Sequence, residues 1–220
     1  MVIPVRLDEI SRSEALRYMG WKGECNDKIV LTQIEEAERT ALISLRPAVI
    51  ADRFSLDDHK RLSGTIFAPL GRAVCRLLDG CDGAVLFAAT LGVQSEWLLL
   101  IEQAKSTVQA LVLDAVLSAA IEQVCDQAFE FIGDLLAQEG RYPTRRFSPG
   151  YADMPISQTQ EICSVLEAEK RIGLTVSSSG VMIPRKSVTA IIGVSKEKND
   201  TYTKGCADCS KRADCTARRR

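Results

Sequence analysis

The sequence predicts an α+β protein in which an antiparallel sheet is flanked by helices. Strands are indicated by short β-branched or aromatic segments bounded by Gly, Pro or Asp, and by two later segments in which apolar and polar residues alternate. The strongest helical signal lies between residues 93 and 137, where one long helix or two successive helices are expected. The predicted strands are residues 48–52, 64–68, 83–89, 174–183 and 187–194.

Composition excludes several classes of function. The chain has 220 residues, of which 46% are apolar, so it can form one domain with a substantial core. Its 28 basic and 29 acidic side chains nearly cancel, which makes nucleic acid an unlikely partner. The N-terminus does not have the pattern of a secretory signal, and polar residues interrupt the longest apolar stretches before they could span a bilayer. We therefore expect a soluble, cytoplasmic protein that does not enter a membrane.

The first part of the chain contains helices that resemble packing elements rather than sites. A capping box predicts a short helix over residues 12–19. A second helix begins at Asn26 or Asp27 and closes at Pro47, with apolar residues at helical spacing. A third helix is expected over residues 70–78, between two predicted strands.

The long helical segment carries one polar stripe. Asp114, Ser118, Glu122 and Asp126 are each four residues apart, so in a helix of 3.6 residues per turn they share one slowly drifting face. Most charged stripes on helices are solvated surfaces. Carboxylates that project from a buried helix can instead offset the charge of a cationic ligand in a site that excludes water. From the residues alone, both interpretations stay open.

An irregular loop follows this segment. Residues 145–155 contain two Arg, two Pro and a Gly-Tyr pair, and this composition disfavours helix and strand because Pro lacks an N–H and Gly lacks conformational bias. Such a loop can hold backbone groups for a ligand, although an Arg beside Pro and Gly is usually a surface residue in a turn. A helix over residues 158–171 is then expected, with Gly173 just after its end.

Two blocks of residues resemble the activation domain of cobalamin-dependent methionine synthase. In that family an Arg, three residues and a Gly-Tyr pair form the main loop that binds S-adenosylmethionine (AdoMet), and Arg146, Gly150 and Tyr151 match this loop. A later Leu-Thr, Met-x-Pro and Ser-Val pattern is matched by Leu174, Thr175, Met182, Pro184, Ser187 and Val188. The two blocks occur in the family's order and separation, and the resemblance covers residues 110–195.

The resemblance implies an AdoMet site in this loop. The guanidinium of Arg146 would bind the carboxylate of the ligand with two parallel hydrogen bonds. The backbone around Ser148 and Gly150 would meet the adenine and ribose. Tyr151 would stack on the ligand or, equally well, pack at the edge of the core.

The resemblance also implies contacts from outside the loop. Family members place acidic groups of the preceding helix near the ligand, which here would be Glu122 and Asp114. Related domains have ligand-contacting tyrosines past the Ser-Val strand, at a distance that Tyr202 matches. A further acidic contact from the N-terminal half of the family's domain has no counterpart that we can align.

The C-terminal residues 196–220 differ in composition from the rest and form a separate tail after a domain of residues 1–195. Cys206, Cys209 and Cys215 lie close enough in sequence to converge on one metal, and thiolates suit an iron–sulfur cluster or, alternatively, zinc. The alternative without a metal site is a tail that carries reactive thiols. Three thiolates leave one position of a four-ligand site for a partner or for another cysteine of the chain: Cys25, Cys81 or Cys163.

As a whole, the resemblance implies a stand-alone subunit that supports the reductive methylation of cobalamin. It would present the methyl group of AdoMet to a reduced cobalamin held by a methionine synthase subunit, and it need not supply a catalytic residue. An electron donor is also required, and a cluster in the tail could relay its electron. Two alternatives stay open: an activator of another corrinoid methyltransferase, and a non-catalytic metal-binding interaction module.

Overall fold

The computed structural model describes residues 1–198. Within them, seven strands and seven helices alternate irregularly along the chain. In chain order they are β1 (Val2–Ile3), α1 (Arg12–Tyr18), α2 (Lys28–Ser44), β2 (Ala48–Ser55), α3 (Arg72–Leu77), β3 (Cys81–Thr90), α4 (Gln94–Lys105), α5 (Thr107–Gln138), β4 (Tyr142–Pro143), α6 (Gln158–Val165), α7 (Ala168–Ile172), β5 (Thr175–Val176), β6 (Met182–Ile183) and β7 (Ser187–Ser195).

The main sheet is antiparallel and has the strand order β1-β2-β3-β7-β4. Its centre is β3, which is buried along nearly its whole length because helices cover both faces. Phe87 belongs to the core beneath α2, α4 and α5, whereas its neighbour Leu86 belongs to the core formed with α3, α6 and α7. Alternation of side chains along a strand explains this division. The predicted α+β class is confirmed.

Helix α5 is the central helix of the first core. Its N-cap is Ser106, whose side chain accepts a hydrogen bond from the Gln109 backbone N–H. The helix is long and apolar enough to span a membrane, contrary to the expectation from sequence, but 61% of its most apolar window is buried inside the fold. This burial is what a core helix of a globular domain shows.

Two predicted elements need correction, and one open alternative is decided. Residues 64–68 are not a strand, because Leu62 donates its N–H to Phe67 in a turn whose apolar signal comes from the buried Phe67 ring. The segment 93–137 is two successive helices, one of the two expected alternatives, and they are separated at the extended Ser106. The segment 158–171 is also two helices, because Glu167 adopts a left-handed conformation with φ of 50°.

The last predicted strands differ in length from expectation. Residues 174–183 form a small separate hairpin of β5 and β6, and only their ends pair. By contrast, β7 runs nearly as predicted and pairs with β3 over its full length. The strand β4 and the N-terminal β1 were not predicted, since two-residue strands carry no periodic pattern.

Candidate functional site

The loop after α5 begins as an extension of the main sheet beside β7. Thr144 exchanges two hydrogen bonds of 2.8 Å with the Gly193 backbone, one through its N–H and one through its hydroxyl oxygen. Phe147 exchanges two backbone hydrogen bonds of 2.9 Å with Ile191, and its ring is buried in the second core. The backbone on both sides of Arg146 is therefore fixed.

The guanidinium of Arg146 lies on the polar stripe of α5. Its Nη2 is 2.7 Å from Oδ1 of Asp126 and 3.3 Å from Oε2 of Glu122. Only 18% of the Arg146 side chain is exposed, whereas both carboxylates retain more access to solvent. The structure thus joins two sequence-predicted residues, Arg146 and Glu122, and adds Asp126 as the nearer partner.

The other two guanidinium nitrogens of Arg146, Nε and Nη1, do not take part in these ion pairs. Within residues 1–198, both ion pairs use Nη2, and neither Nε nor Nη1 makes a hydrogen bond to an oxygen. No side-chain nitrogen or oxygen in this part of the chain is both fully buried and without a hydrogen-bond partner. The Nε and Nη1 of Arg146 therefore carry donors that neither ion pair uses, and the thiol of Cys125 lies beside the guanidinium.

Cys125 lies on the buried side of the same cluster. Its side chain is fully buried, and burial raises the pKa of the thiol to about 12 despite the opposing influence of Arg146. Burial alone would lower the pKa of the Arg146 guanidinium, but Cys125, Glu122 and Asp126 outweigh this effect and raise it. Arg146 is therefore a permanent cation, and Cys125 is a neutral thiol.

The opposite end of the stripe binds a different cation. Lys186, which precedes β7, places its Nζ 2.8 Å from Oδ1 of Asp114, 3.0 Å from the Asp114 carbonyl oxygen and 2.8 Å from the hydroxyl of Ser118. An ammonium group has three N–H donors, and these three acceptors can use all of them. Asp114, predicted as a ligand contact, is therefore the partner of Lys186 and does not meet Arg146.

The Gly-Tyr pair forms the tip of the loop. Gly150 has a φ of 83°, a region that side chains disfavour, and a Cβ there would lie 3.0 Å from Ile156. Tyr151 donates its N–H to the Ser148 carbonyl oxygen at 3.2 Å, and its ring contacts Phe147 edge-on at 5.4 Å between centroids. The structure thus gives Tyr151 a packing contact at the edge of the core, one of its two predicted roles.

Sequence reasoning missed the residues that hold the far side of the loop. The carboxylate of Asp153 accepts hydrogen bonds from the Arg72 N–H at 2.7 Å and the Ala73 N–H at 3.0 Å. The buried side chain of Gln158 accepts from the Leu70 N–H and donates to the Ala68 carbonyl oxygen, each at 2.8 Å. Both residues act across about eighty positions of sequence, a separation that no local pattern reveals.

Several predicted site residues lie outside the described part of the chain: Tyr202, Cys206, Cys209 and Cys215. Within residues 1–198, no group of three or more His, Cys, Asp or Glu side chains could hold a metal ion. Of the cysteines considered as a fourth ligand, Cys163 is nearly buried, whereas Cys25 and Cys81 are partly exposed. Cys81 also stands directly opposite Ser195, the last residue of β7.

Two surface clefts lie away from the Arg146 cluster. One, of about 430 Å³, lies between α6, α7 and β5 and is lined by Cys163 and Leu174. The other, of about 260 Å³, lies between α2, α4 and the start of α5. Both are shallow, open depressions with mixed polar and apolar walls, and neither is lined by Arg146, Glu122 or Asp126.

The fold is that of a reactivation domain. A solved structure described as the crystal structure of the MetH reactivation domain bound to AdoHcy matches with a TM-score of 0.54, over 90% of this chain and 80% of that chain. Thirteen chains of solved structures match significantly in all. The identity in this match is 19%, so the likeness concerns the fold.

A family model matches the C-terminal part of the chain. Residues 126–220 match the family described as the vitamin B12 dependent methionine synthase, activation domain. This range contains Arg146, Gly150 and Tyr151, so the resemblance predicted from the two blocks is confirmed. A comparison with curated proteins gave no significant match.

Proposed function

We propose that the chain binds AdoMet at the Arg146 cluster and supports the reactivation of a cobalamin-dependent methionine synthase. The observation that carries the proposal is the geometry of Arg146, whose Nη2 is paired with two carboxylates of α5 while these ion pairs leave Nε and Nη1 unused. The family match and the AdoHcy bound to the structurally similar reactivation domain support the choice of ligand.

The cluster suits the amino acid end of AdoMet. The ligand carboxylate would accept hydrogen bonds from Arg146, and the ligand ammonium would donate to Glu122 or Asp126. The amino acid end of AdoMet carries one negative and one positive charge, so it needs partners of both signs within a few ångströms. Arg146, Glu122 and Asp126 provide these partners. Gly150 and the neighbouring backbone follow Arg146 in the loop. They would therefore face the nucleoside of a ligand whose amino acid end is bound at Arg146.

The carboxylates have a second task in this proposal. The sulfonium of AdoMet is a fixed positive charge, and a partly buried carboxylate attracts it more strongly than one in bulk water. Glu122 and Asp126 would therefore favour AdoMet over AdoHcy, which has lost that charge with the methyl group.

The chain's contribution to methyl transfer is positioning. The partner's reduced corrinoid would supply the electron pair for the new bond to the methyl carbon, while the electron pair of the broken S–CH3 bond would stay on sulfur and leave AdoHcy. Arg146 fixes the ligand at one end, and the loop fixes the direction of the sulfonium. Holding two reactants in line in this way can remove a large part of an activation barrier. In this proposal the domain acts in the cytoplasm beside its corrinoid-binding partner.

Calorimetric titration with AdoMet tests the proposal. We expect saturable binding by the wild-type protein and binding weakened by about 10- to 100-fold in Arg146→Ala, since hydrogen bonds between charged groups contribute about 1.5–3 kcal/mol. Lys186→Ala is the matched control, because it removes a cation from the same stripe without touching Arg146. Absence of binding by the wild-type protein, or equal losses in both variants, would contradict the proposal.

We further propose that residues 196–220 form a metal-binding tail, with Cys206, Cys209 and Cys215 as ligands. The position of Cys81 opposite Ser195 makes it the fourth cysteine that this proposal favours, because the tail begins at that strand end. Either an iron–sulfur cluster or zinc fits thiolate ligands. Anaerobic purification with metal analysis tests this: Cys81→Ser should lower the bound metal, whereas Cys163→Ser should not.

The client protein is also a proposal. The family description names a methionine synthase, which favours this client over another corrinoid methyltransferase. To distinguish the two clients, AdoMet and a chemical reductant are added, in the presence of the chain, to an inactive methionine synthase and to another inactive corrinoid methyltransferase. Recovery of methyl-cobalamin absorbance in the methionine synthase alone supports the proposed client.

A further inference from the structure

Residues 68–73 and 153–158 are joined by side-chain to backbone hydrogen bonds on the far side of the candidate loop. Asp153 binds the first two N–H groups of α3, a helix whose own N-cap position, Gly71, has no side chain to cap it. Gln158 binds the backbone on both sides of Pro69. One carboxylate and one amide from the loop region thus satisfy four backbone groups of a distant segment.

The close approach of the two segments requires glycine at position 71. Gly71 has a φ of 122°, and a Cβ at this position would lie 2.9 Å from both the backbone carbonyl oxygen and Oδ1 of Asp153. Any other residue would therefore displace Asp153 or distort the turn before α3. The hydrogen bonds and the glycine together fix the position of Asp153.

The conformation of the loop tip depends on that anchor. Ala152, between Tyr151 and Asp153, has a φ of 50°, a backbone region that a residue with a Cβ disfavours unless the surroundings hold it. On the other side of the tip, Phe147 is fixed by its pairing with Ile191. The tip, including Gly150 and Tyr151, is therefore held between two fixed points.

We propose that Asp153 is a positioning residue for the ligand loop: by capping α3, it keeps residues 148–152 in the conformation that binds AdoMet. This inference rests on the proposed function and adds a residue that contacts no ligand. A loop that is already ordered loses less conformational freedom on binding, so the anchor strengthens binding without adding a contact.

AdoMet calorimetry on the full chain tests the proposal with a matched control. Asp153→Ala should weaken binding about tenfold, and Asp153→Asn, which keeps an acceptor for only one of the two α3 N–H groups, should restore only part of it. Asp27→Ala is the control, because Asp27 caps α2 in the same manner with bonds to the Ile29 and Val30 N–H groups. It should lower thermal stability like Asp153→Ala but leave AdoMet affinity unchanged.

Hydrogen exchange of the ligand-free protein gives a second readout. The Gly150 and Met154 amides, both hydrogen-bonded inside the loop, should exchange faster in Asp153→Ala and at the wild-type rate in Asp27→Ala. Equal AdoMet affinity in wild type and Asp153→Ala, or an equal loss in Asp27→Ala, would overturn the positioning role while leaving the proposed function intact. Absence of binding by the wild-type protein would overturn both.

Discussion

The two ends of the polar stripe on α5 bind their cations in different ways. At the Lys186 end, the ammonium has three acceptors, all supplied by Asp114 and Ser118. At the Arg146 end, two carboxylates share one nitrogen of a five-donor guanidinium within the described residues. Lys186 thus links α5 to the residue before β7, whereas the Nε and Nη1 donors of Arg146 are not used by its two ion pairs.

This difference separates a structural ion pair from a candidate binding site on the same helix face. Spacing alone cannot make the distinction, because Asp114, Ser118, Glu122 and Asp126 have the same four-residue separation. The number of donors that each cation has, and the number of acceptors within reach, decides it.

Neutralising the acids at each end should affect ligand selectivity unequally. In Glu122→Gln/Asp126→Asn we expect the preference for AdoMet over AdoHcy to fall by about tenfold, because the sulfonium loses its counter-charges. Asp114→Asn should leave the preference unchanged. Parallel titrations with both ligands measure it. An equal change in both variants would show that the whole stripe acts on the ligand.

Removing the lysine should affect stability rather than binding. Lys186→Met keeps the length of the aliphatic side chain but leaves Asp114 and Ser118 without their shared donor, so we expect a loss of about 1–2 kcal/mol in the free energy of unfolding. AdoMet affinity should stay within about twofold of wild type. Urea denaturation and calorimetry measure the two quantities. A large loss of affinity at full stability would mean that Lys186 contacts the ligand.

Alkaline pH should destabilise the protein through the thiol at the Arg146 end. Burial raises the pKa of Cys125 to about 12, whereas a cysteine in the unfolded chain has a pKa of about 8.5. The stabilising difference is therefore fully present below about pH 8.5 and is lost as pH rises toward 12. Cys125→Ala should flatten this part of the pH dependence of unfolding. An unchanged slope would show that other groups cause it.

The same thiol should be inert in the native protein. Because Cys125 is fully buried and neutral at pH 8, it should resist alkylation until the chain unfolds, whereas the partly exposed Cys25 and Cys75 should react. Mass spectrometry after short labelling measures each site. Rapid labelling of Cys125 would show that the Arg146 end opens readily.

Local patterns predicted most of the fold but only half of the site. The helices followed from capping signals and apolar periodicity, β3 from a short apolar run, and β7 from the alternation of apolar and polar residues. The prediction of a strand over residues 64–68 was wrong because one buried Phe67 in a turn gives the same apolar signal as a short strand. The break at Glu167 was missed because a non-glycine residue in the left-handed region has no sequence signature.

For the site, the motif indicated Arg146 and the stripe indicated Glu122, but neither indicated that these side chains meet. Contacts between residues 72 and 153, or between 118 and 186, depend on how the chain folds back and cannot be found from local spacing. Lys186 and Asp153 were missed for this reason. The role of a charged residue in a turn can be assigned only when its partners in the fold are known.

A crystal structure of the chain with AdoHcy would test the central claim most directly. The account predicts the ligand carboxylate within hydrogen-bonding distance of Nε or Nη1 of Arg146, while Nη2 keeps its contacts with Glu122 and Asp126. Lys186 should remain on Asp114 and Ser118. A ligand bound elsewhere, with the Arg146 cluster unchanged and filled only by water, would contradict it.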